Sequence, residues 1–350
     1  MMRSDGSFLL LLILQFWLAY LPMMIDQVEC GSTIIGGRYS SDRRLLVFGD
    51  SYADTGNLPR IIARSWSEPY GMTFPKKPTG RFSDGRVFTD FFASFLQVRS
   101  PIPYSLRKYG KKLFHYGMNF AVGGSGVFQT FFIISNLTTQ IDQMEEQVNL
   151  GVINLNSSIA LVVIAGNDYY FYQNEGGTMK GLGKFTEKVI NQLKLDLKRI
   201  RDIGVEKIAV TNLDEIGCLP SFTKKFSYRH CNETVNKAAT YHNKLLAEAL
   251  KELNMEDRDN TCAFVVIDLF GGFKSSLKQG RKKSKNILKP CCEAMSDDYS
   301  CGSVDWNDQK KYSLCSNPEE AFYWDSEHPT QATWNSVYDF LKPSLKTMFH

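Results

Sequence analysis

The chain has 350 residues, 43% of them hydrophobic and 22% charged, which excludes a disordered or low-complexity protein and leaves ample length for a buried core. The formal net charge is only +4, and most of the excess is local. With no strong basic field over the chain, no nucleic-acid partner is expected.

The first thirty residues read as a signal peptide: Arg3, an uncharged apolar stretch over 8–25 broken by Gln15 and Pro22, then Val28-Glu29-Cys30 before Gly31. Cleavage is expected after Cys30. The competing reading is a membrane anchor, but the stretch is short and interrupted for a spanning helix, and no later segment is long and apolar enough. Removing Arg3, Asp5, Asp26 and Glu29 takes the formal charge from +4 to +6. The mature chain, 31–350, is expected to be one domain, monomeric, secreted and extracellular, with the cell wall among its destinations, and not stably inserted in a membrane.

Leu45 to Phe48 form an apolar run suited to a buried parallel strand, and Gly49 breaks it at once. Ligands of open α/β sheets bind beyond the carboxyl ends of the strands, so Asp50 and Ser51 are expected on the floor of a crevice. Ser51 is the candidate nucleophile; taken alone, GDS also fits an ordinary capped turn. Residues 58–86 are rich in Pro and Gly and too long for a simple connection. Their Arg81 and Arg86 fit substrate contact or loop scaffolding equally. Phe88, Phe91, Phe92, Phe95 and Leu96 recur at helical spacing and predict an amphipathic helix whose aromatic stripe is packing.

Residues 117–126, GMNFAVGGSG, predict a short strand ending in a glycine-rich turn where a backbone N–H can approach a ligand. The apolar FFII at 131–134 follows as loop, a candidate wall for an acyl pocket. Thr139-Gln140-Ile141-Asp142 reads as a capping box opening a helix with Ile141, Met144 and Val148 on one face. Residues 159–164 predict a buried strand ended by Ala165-Gly166-Asn167-Asp168, a second polar cluster at a strand's carboxyl end. A helix over about 182–200 stopping at Gly204, a strand over 207–213, a helix with His242 on its apolar stripe, and a strand over 263–269 complete an alternating pattern. That pattern means a parallel sheet covered on both faces. His242 is read as a core histidine.

Cys218 and Cys231 flank a short polar segment, and Cys291, Cys292, Cys301 and Cys315 cluster as loop staples do in an oxidising compartment, with their pairing open. Cys262 is expected to be free at the start of a buried strand. No paired CxxC and no HxxxH occurs, so neither metal nor cofactor is expected. Sequons at Asn136, Asn156 and Asn232 are candidate glycosylation sites. Lys274, Lys278, Arg281, Lys282, Lys283, Lys285 and Lys289 form a basic run that could meet an acidic polymer or anionic surface, the plainer reading being a solvated loop.

Trp324-Asp325-Ser326-Glu327-His328-Pro329-Thr330 precedes a final helix carrying Trp334, Val337, Tyr338 and Leu341. Pro329 keeps His328 out of that helix and holds it at the entrance. Asp325, three residues earlier, can reach one imidazole nitrogen and leave the other for a nucleophile. Among His115, His230, His242, His328 and His350, only His328 has an acid at a useful offset.

GDSYADTGN, NFAVGGSG, GND and DSEHPT, in that order over about 43–345, resemble the GDSL lipase/esterase family of the SGNH-hydrolase superfamily, in its secreted plant form. The resemblance implies a three-layer α/β/α sandwich with a flavodoxin-like parallel sheet. It also implies a catalytic Ser51, Asp325 and His328, and an oxyanion hole of Ser51, Gly124 and Asn167. Tyr52 stands where the family's namesake motif has Leu, at a position the chemistry does not need, and Ala165 stands where Gly is common. The expected activity is carboxylic ester hydrolysis through a Ser51 acyl-enzyme on a small-molecule, lipid or polysaccharide-linked ester. Acyl transfer to an alcohol by the same acyl-enzyme is the alternative enzyme reading. A silent carbohydrate-binding or defence protein on this scaffold is the non-enzymatic one.

Overall fold

The structure is a computed structural model; it describes residues 43–349 except 110, 132–133, 165, 258–261, 283 and 285, so the expected signal segment 1–30 and His350 lie outside the described residues. Four short, mostly buried runs rich in aliphatic residues, ended close by Gly, Asn or Asp, become strands, and the three-residue Gly117–Asn119 adds a fifth. They are β1 (Arg44–Gly49), β3 (Gly117–Asn119), β4 (Ser158–Val163), β5 (Lys207–Thr211) and β6 (Phe264–Ile267), with the two-residue β2 (Ile102–Pro103) added at one edge. All pair in parallel in the order β2-β3-β1-β4-β5-β6. Leu45, Leu46, Val47 and Phe48 are wholly buried, as a strand covered on both faces requires.

Helices fill both faces. On one side lie α2 (Leu137–Asn149), α4 (Met179–Ile203) and α6 (Glu233–Glu256); on the other lie α1 (Phe88–Phe95), α7 (Leu269–Gly280) and α8 (Gln331–Phe349). Short α3 (Gly166–Asn174) and α5 (Pro220–Thr223) sit in connections at the strands' carboxyl ends. The result is the expected three-layer α/β/α sandwich, and the described residues fall in one compact unit. Without edge strand β2 the order is the flavodoxin-like one, whose switch point falls between β1 and β4.

Several boundaries differ from expectation for identifiable reasons. The α2 helix starts at Leu137, ahead of the expected box, because Asn136 Oδ1 accepts the Thr139 amide at 3.0 Å and its hydroxyl at 2.8 Å. The apolar run ending in Ile267-Asp268-Leu269 is cut at Ile267, because Asp268 Oδ1 accepts the Gly271 amide at 2.9 Å and caps α7. The helix over 179–203 does end where expected, at Gly204 with φ +119°.

Disulfides join Cys218–Cys231, Cys291–Cys315 and Cys292–Cys301. The last two staple a small antiparallel ribbon, β7 (Cys292–Ala294) with β8 (Tyr312–Leu314). Cys262 is also disulfide-bonded, contrary to the expected free thiol: it lies two residues ahead of β6, half-buried at φ +50°, outside the enclosed run. No group of His, Cys, Asp and Glu suited to a metal ion occurs among the described residues. No helix there is long and apolar enough to cross a membrane.

Candidate active site

The end of β1 is held by a side chain from the opposite layer. Gln140 of α2 accepts the Gly49 amide on Oε1 at 2.8 Å and donates Nε2 to the Gly49 carbonyl at 2.9 Å. Gly49 has φ +134°, and a Cβ there would fall 1.9 Å from the Val163 carbonyl oxygen, so only glycine lets β1 turn off so close to β4. Asp50 donates its amide to the Val163 carbonyl, and its own carbonyl accepts the amides of Ala53 and Asp54. Ser51 sits on this tight turn, 9% exposed.

From the far end of the sequence, the Asp325–His328 turn meets it. His328 Nε2 lies 2.8 Å from Ser51 Oγ, and His328 Nδ1 lies 2.8 Å from both Asp325 oxygens. The turn is organised by the same carboxylate: Asp325 Oδ1 accepts the backbone amides of Glu327 at 2.9 Å and His328 at 2.8 Å. Tyr70, from the long loop, donates its hydroxyl to Asp325 Oδ2 at 2.7 Å. The Phe82 ring packs on the imidazole with centroids 4.9 Å apart. Ser83 and Asp84 of this loop bond to the Pro329 carbonyl and the Gln331 amide, beside His328.

Gly124 and Asn167, at the ends of β3 and β4, line the same cleft as Ser51 and His328. Gly124 has φ +84°, and a Cβ on it would meet Ile134 Cδ1 at 2.9 Å. Asn167 Nδ2 donates to the Ser125 carbonyl at 2.9 Å, and its other N–H remains for the cleft. Two acids missed in the sequence fix these loops. Asp54 accepts the amides of Gly56, Asn57, Leu58 and Gly123, and Asp168 accepts those of Val127 and Phe128. For Asp54 the sequence signal was present, since it lies within a quoted block and is followed by the turn residues Thr55-Gly56-Asn57.

The structure places the remaining candidates outside the Ser51–His328–Asp325 line. Arg81 is engaged in a buried two-point pair with Asp90, and Arg86 stacks on Phe74 and reaches Gln331. His242 is wholly buried, with Nδ1 2.9 Å from the Tyr169 hydroxyl, and burial lowers its pKa to about 3, so it stays neutral. Asn136 and Asn232 are helix N-caps, while Asn156 is exposed. Lys274 and Lys278 lie on α7, whereas Lys283 and Lys285 lie outside the described residues.

Burial raises Asp50 and Asp214 to about 7 and Glu327 to about 7, against weaker hydrogen bonds that pull the other way. Burial works against the charged form of His328, but Asp325, with Glu327 and Asp50 behind it, outweighs that and raises the imidazole above its ordinary value. Asp325 is lowered: burial raises it, while His328 and the Tyr70 hydroxyl more than compensate. Together these groups can take a proton from an alcohol and hold it on a partnered imidazole.

A family model described as GDSL-like Lipase/Acylhydrolase matches residues 45–339. The chain is 47% identical over 312 residues to GDSL esterase/lipase At5g03610 of Arabidopsis thaliana, covering 86% of each chain. It is 44% identical to GDSL esterase/lipase At3g09930 of the same plant, covering 87% of this chain and 89% of that one. Among solved structures, the acetylxylan esterase Axe2 from Geobacillus stearothermophilus is similar with a TM-score of 0.42 at 13% identity, covering 90% of this chain and 97% of that one.

Proposed function

Because the chain belongs to the GDSL-like lipase/acylhydrolase family and is thereby a carboxylic ester hydrolase, we propose that its nucleophile is Ser51, with His328 as general base and Asp325 as the group that holds and charges the imidazole. The observation carrying this is the unbroken line from Ser51 Oγ to His328 Nε2 and from His328 Nδ1 to Asp325, both hydrogen bonds 2.8 Å long.

In the first half-reaction Ser51 Oγ attacks the ester carbonyl carbon as its proton passes to His328 Nε2. The imidazolium is stabilised by Asp325 and returns the proton to the departing alkoxide, leaving an acyl-enzyme and a free alcohol. Water then takes the place of the alcohol, His328 removes its proton, and the acid leaves as Ser51 recovers its hydrogen. The negative oxygen of each tetrahedral intermediate is received by the backbone amides of Ser51 and Gly124 and the Asn167 side-chain amide, each donor supplying roughly 3 kcal/mol. Gly124 is preferred to Gly123 because the Gly123 amide is already committed to Asp54 Oδ2 at 2.9 Å.

Substrates are small-molecule or lipid esters, and no metal or cofactor is needed for these steps. We further propose a secreted protein whose amino-terminal apolar leader is removed and whose remaining chain is one hydrolase domain. Three disulfides among the described residues and the exposed sequon at Asn156 support this. Ser51→Ala should lower kcat by on the order of 10⁴ or more while leaving the melting temperature within a degree or two. A folded variant keeping a tenth of wild-type turnover removes Ser51 from the role.

A further inference from the structure

In the proposed mechanism the oxyanion donors come from three places in the chain: the Ser51 amide after β1, the Gly124 amide after β3, and the Asn167 side chain at the start of α3. Such donors serve an oxyanion only while their spacing holds to within about 0.5 Å, so the turn after β1 must be fixed against the turn after β3. Gln140 of α2, wholly buried, touches both. Its Oε1 accepts the Gly49 amide at 2.8 Å, and its Nε2 donates to the Gly49 carbonyl at 2.9 Å and to Ser125 Oγ at 3.0 Å. The Ser125 hydroxyl has a single proton, which goes to the Ser135 carbonyl at 2.6 Å, so Ser125 can only accept from Gln140. The amide is therefore oriented one way, with its two hydrogens divided between the two turns. Gly49 lies two residues before Ser51, and Ser125 follows Gly124. The Val122 amide also reaches the Gly49 carbonyl, at 3.0 Å, so backbone holds the near side of the glycine turn and Gln140 holds the far side. The Ser125 carbonyl accepts Asn167 Nδ2 at 2.9 Å, which brings the third donor into the same chain of bonds.

We infer that Gln140 is a positioning residue for the reaction: its side-chain amide joins the nucleophile's turn to the glycine turn and so sets the spacing of the oxyanion donors. The inference rests on Ser51 being the nucleophile. A helix packed on a sheet buries apolar side chains, and α2 does so with Leu137, Ile141 and Met144. An amide in that row is costly unless its polar atoms are bonded, and Gln140 directs three bonds to the two turns that flank the nucleophile. The site needs an acceptor and two N–H donors in one plane at the end of a long side chain, which is what glutamine offers. Methionine matches its reach and has neither function. Without the amide, Asp50 still donates to the Val163 carbonyl and His328 still reaches Ser51, so the nucleophile keeps its base. Ser125, with Gly124 before it and Asn167 bonded to it, loses its tie to that turn. The loss falls on the tetrahedral intermediates, whose negative oxygen these donors receive, and not on the bound ester. Both half-reactions pass through such an intermediate, so kcat falls while KM stays.

The test compares Gln140→Met, Ser125→Ala and Met144→Ala in the full chain, well below the lowest melting midpoint, with p-nitrophenyl acetate as substrate and an alkyl trifluoromethyl ketone as inhibitor. Ser51 Oγ adds to the ketone carbon, its proton passes to His328, and the carbonyl π pair moves onto the oxygen, so the inhibition constant reads the donors directly. Gln140→Met should lower kcat on the order of 10²-fold with KM within about threefold, and the inhibition constant should rise by the factor that kcat/KM loses. Ser125→Ala leaves the Gly49 pair intact and should do the same by about tenfold; it decides the matter if Gln140→Met does not fold. Met144→Ala opens a cavity one turn further along the same helix, so it should lower the melting temperature yet leave kcat and the inhibition constant within about threefold. The inference is overturned if folded variants of Gln140 and Ser125 keep more than half of wild-type kcat, if kcat falls while the inhibition constant does not move, or if Met144→Ala loses as much kcat as they do. Undiminished turnover in Ser51→Ala strikes the Ser51 reading itself. A silent Ser51→Ala beside unaffected Gln140 and Ser125 variants removes this inference alone.

Discussion

Asp325 receives four donors, three from its own turn and one from Tyr70, 255 residues away in sequence. A buried carboxylate that shares its charge with a phenol is a weaker partner for imidazolium. Tyr70→Phe keeps the ring packed against Trp324 and removes only the hydroxyl, so Asp325 becomes more basic and His328 with it. The low-pH limb of kcat/KM should therefore move to higher pH by roughly half a unit, and kcat/KM at pH 7 should fall by up to about threefold. Glu327→Gln should move the same limb the other way, because Glu327 is among the groups that raise His328. Full pH profiles of both variants check this, and parallel shifts would refute it. Ser51, Asp325 and His328 were legible because strand ends and a proline-bounded turn leave few places for them to be. Tyr70 was not: its loop is rich in proline and glycine, has no period, and meets Asp325 only in three dimensions. Tyr52, at a position the chemistry does not need, carries a structural tie that the sequence did not show: its hydroxyl lies 3.2 Å from the Glu327 carbonyl and 3.4 Å from Asp214 Oδ2. Substituting an aromatic residue for the namesake Leu thus adds a tie to the histidine turn.

At the scale of elements, the ribbon of β7 and β8 bears on the site although no residue of it reaches the cleft. The amides of Cys291 and Cys292 donate to the carbonyls of Tyr323 and Trp324, so the segment entering Asp325 is carried by the disulfide-stapled ribbon. Cys292, Cys301, Tyr312, Trp324 and Tyr70 share one small buried cluster. Replacing Cys292 and Cys301 by Ser opens a nine-residue separation worth roughly 2–3 kcal/mol by chain entropy, so the melting temperature should drop by roughly 3–5 °C. Because the ribbon braces the turn, activity should be lost on heating ahead of the far-ultraviolet circular dichroism signal; coincident loss would mean the ribbon is an independent staple. Strands β1, β4 and β5 were plain in the sequence, being continuous buried runs. The ribbon was not, because Cys–Cys pairing among four candidates is a question of tertiary distance. Nor was α3, whose residues YYFYQN carry no apolar stripe of helical period; it is helical because Asp168 anchors its first turn to the loop at 127–128.

Taken whole, the molecule sets its cleft at the switch point of the sheet and walls it with acids it does not pair: Asp50 from the end of β1, Asp214 beyond β5, and Glu327 beside His328. Each has a pKa raised by burial to about 7, so between about 4 and 7 the folded protein holds protons that the unfolded chain has released. Stability from these three is present below pH 4 and is lost as pH rises through 7. The raised His328 adds in the same direction, its contribution being full below 6.5 and lost above its folded value. Asp325 and Asp90, both lowered, act oppositely: their contribution is present above about 4 and disappears as pH falls below it. The two sets leave a stability maximum near pH 4. Turnover, however, requires a neutral His328 and so rises only above 6.5. The enzyme is thus expected to work on the descending side of its own stability curve, with the acids that destabilise it also keeping the imidazole basic. Asp214→Asn separates these effects, since an amide oxygen can still accept the Tyr52 hydroxyl while the charge is gone. Its melting temperature should exceed that of the wild type by on the order of 2 °C or more at pH 8 and match it at pH 4. A gain of the same size at both pH values would mean that charge on the buried acids is not what limits stability.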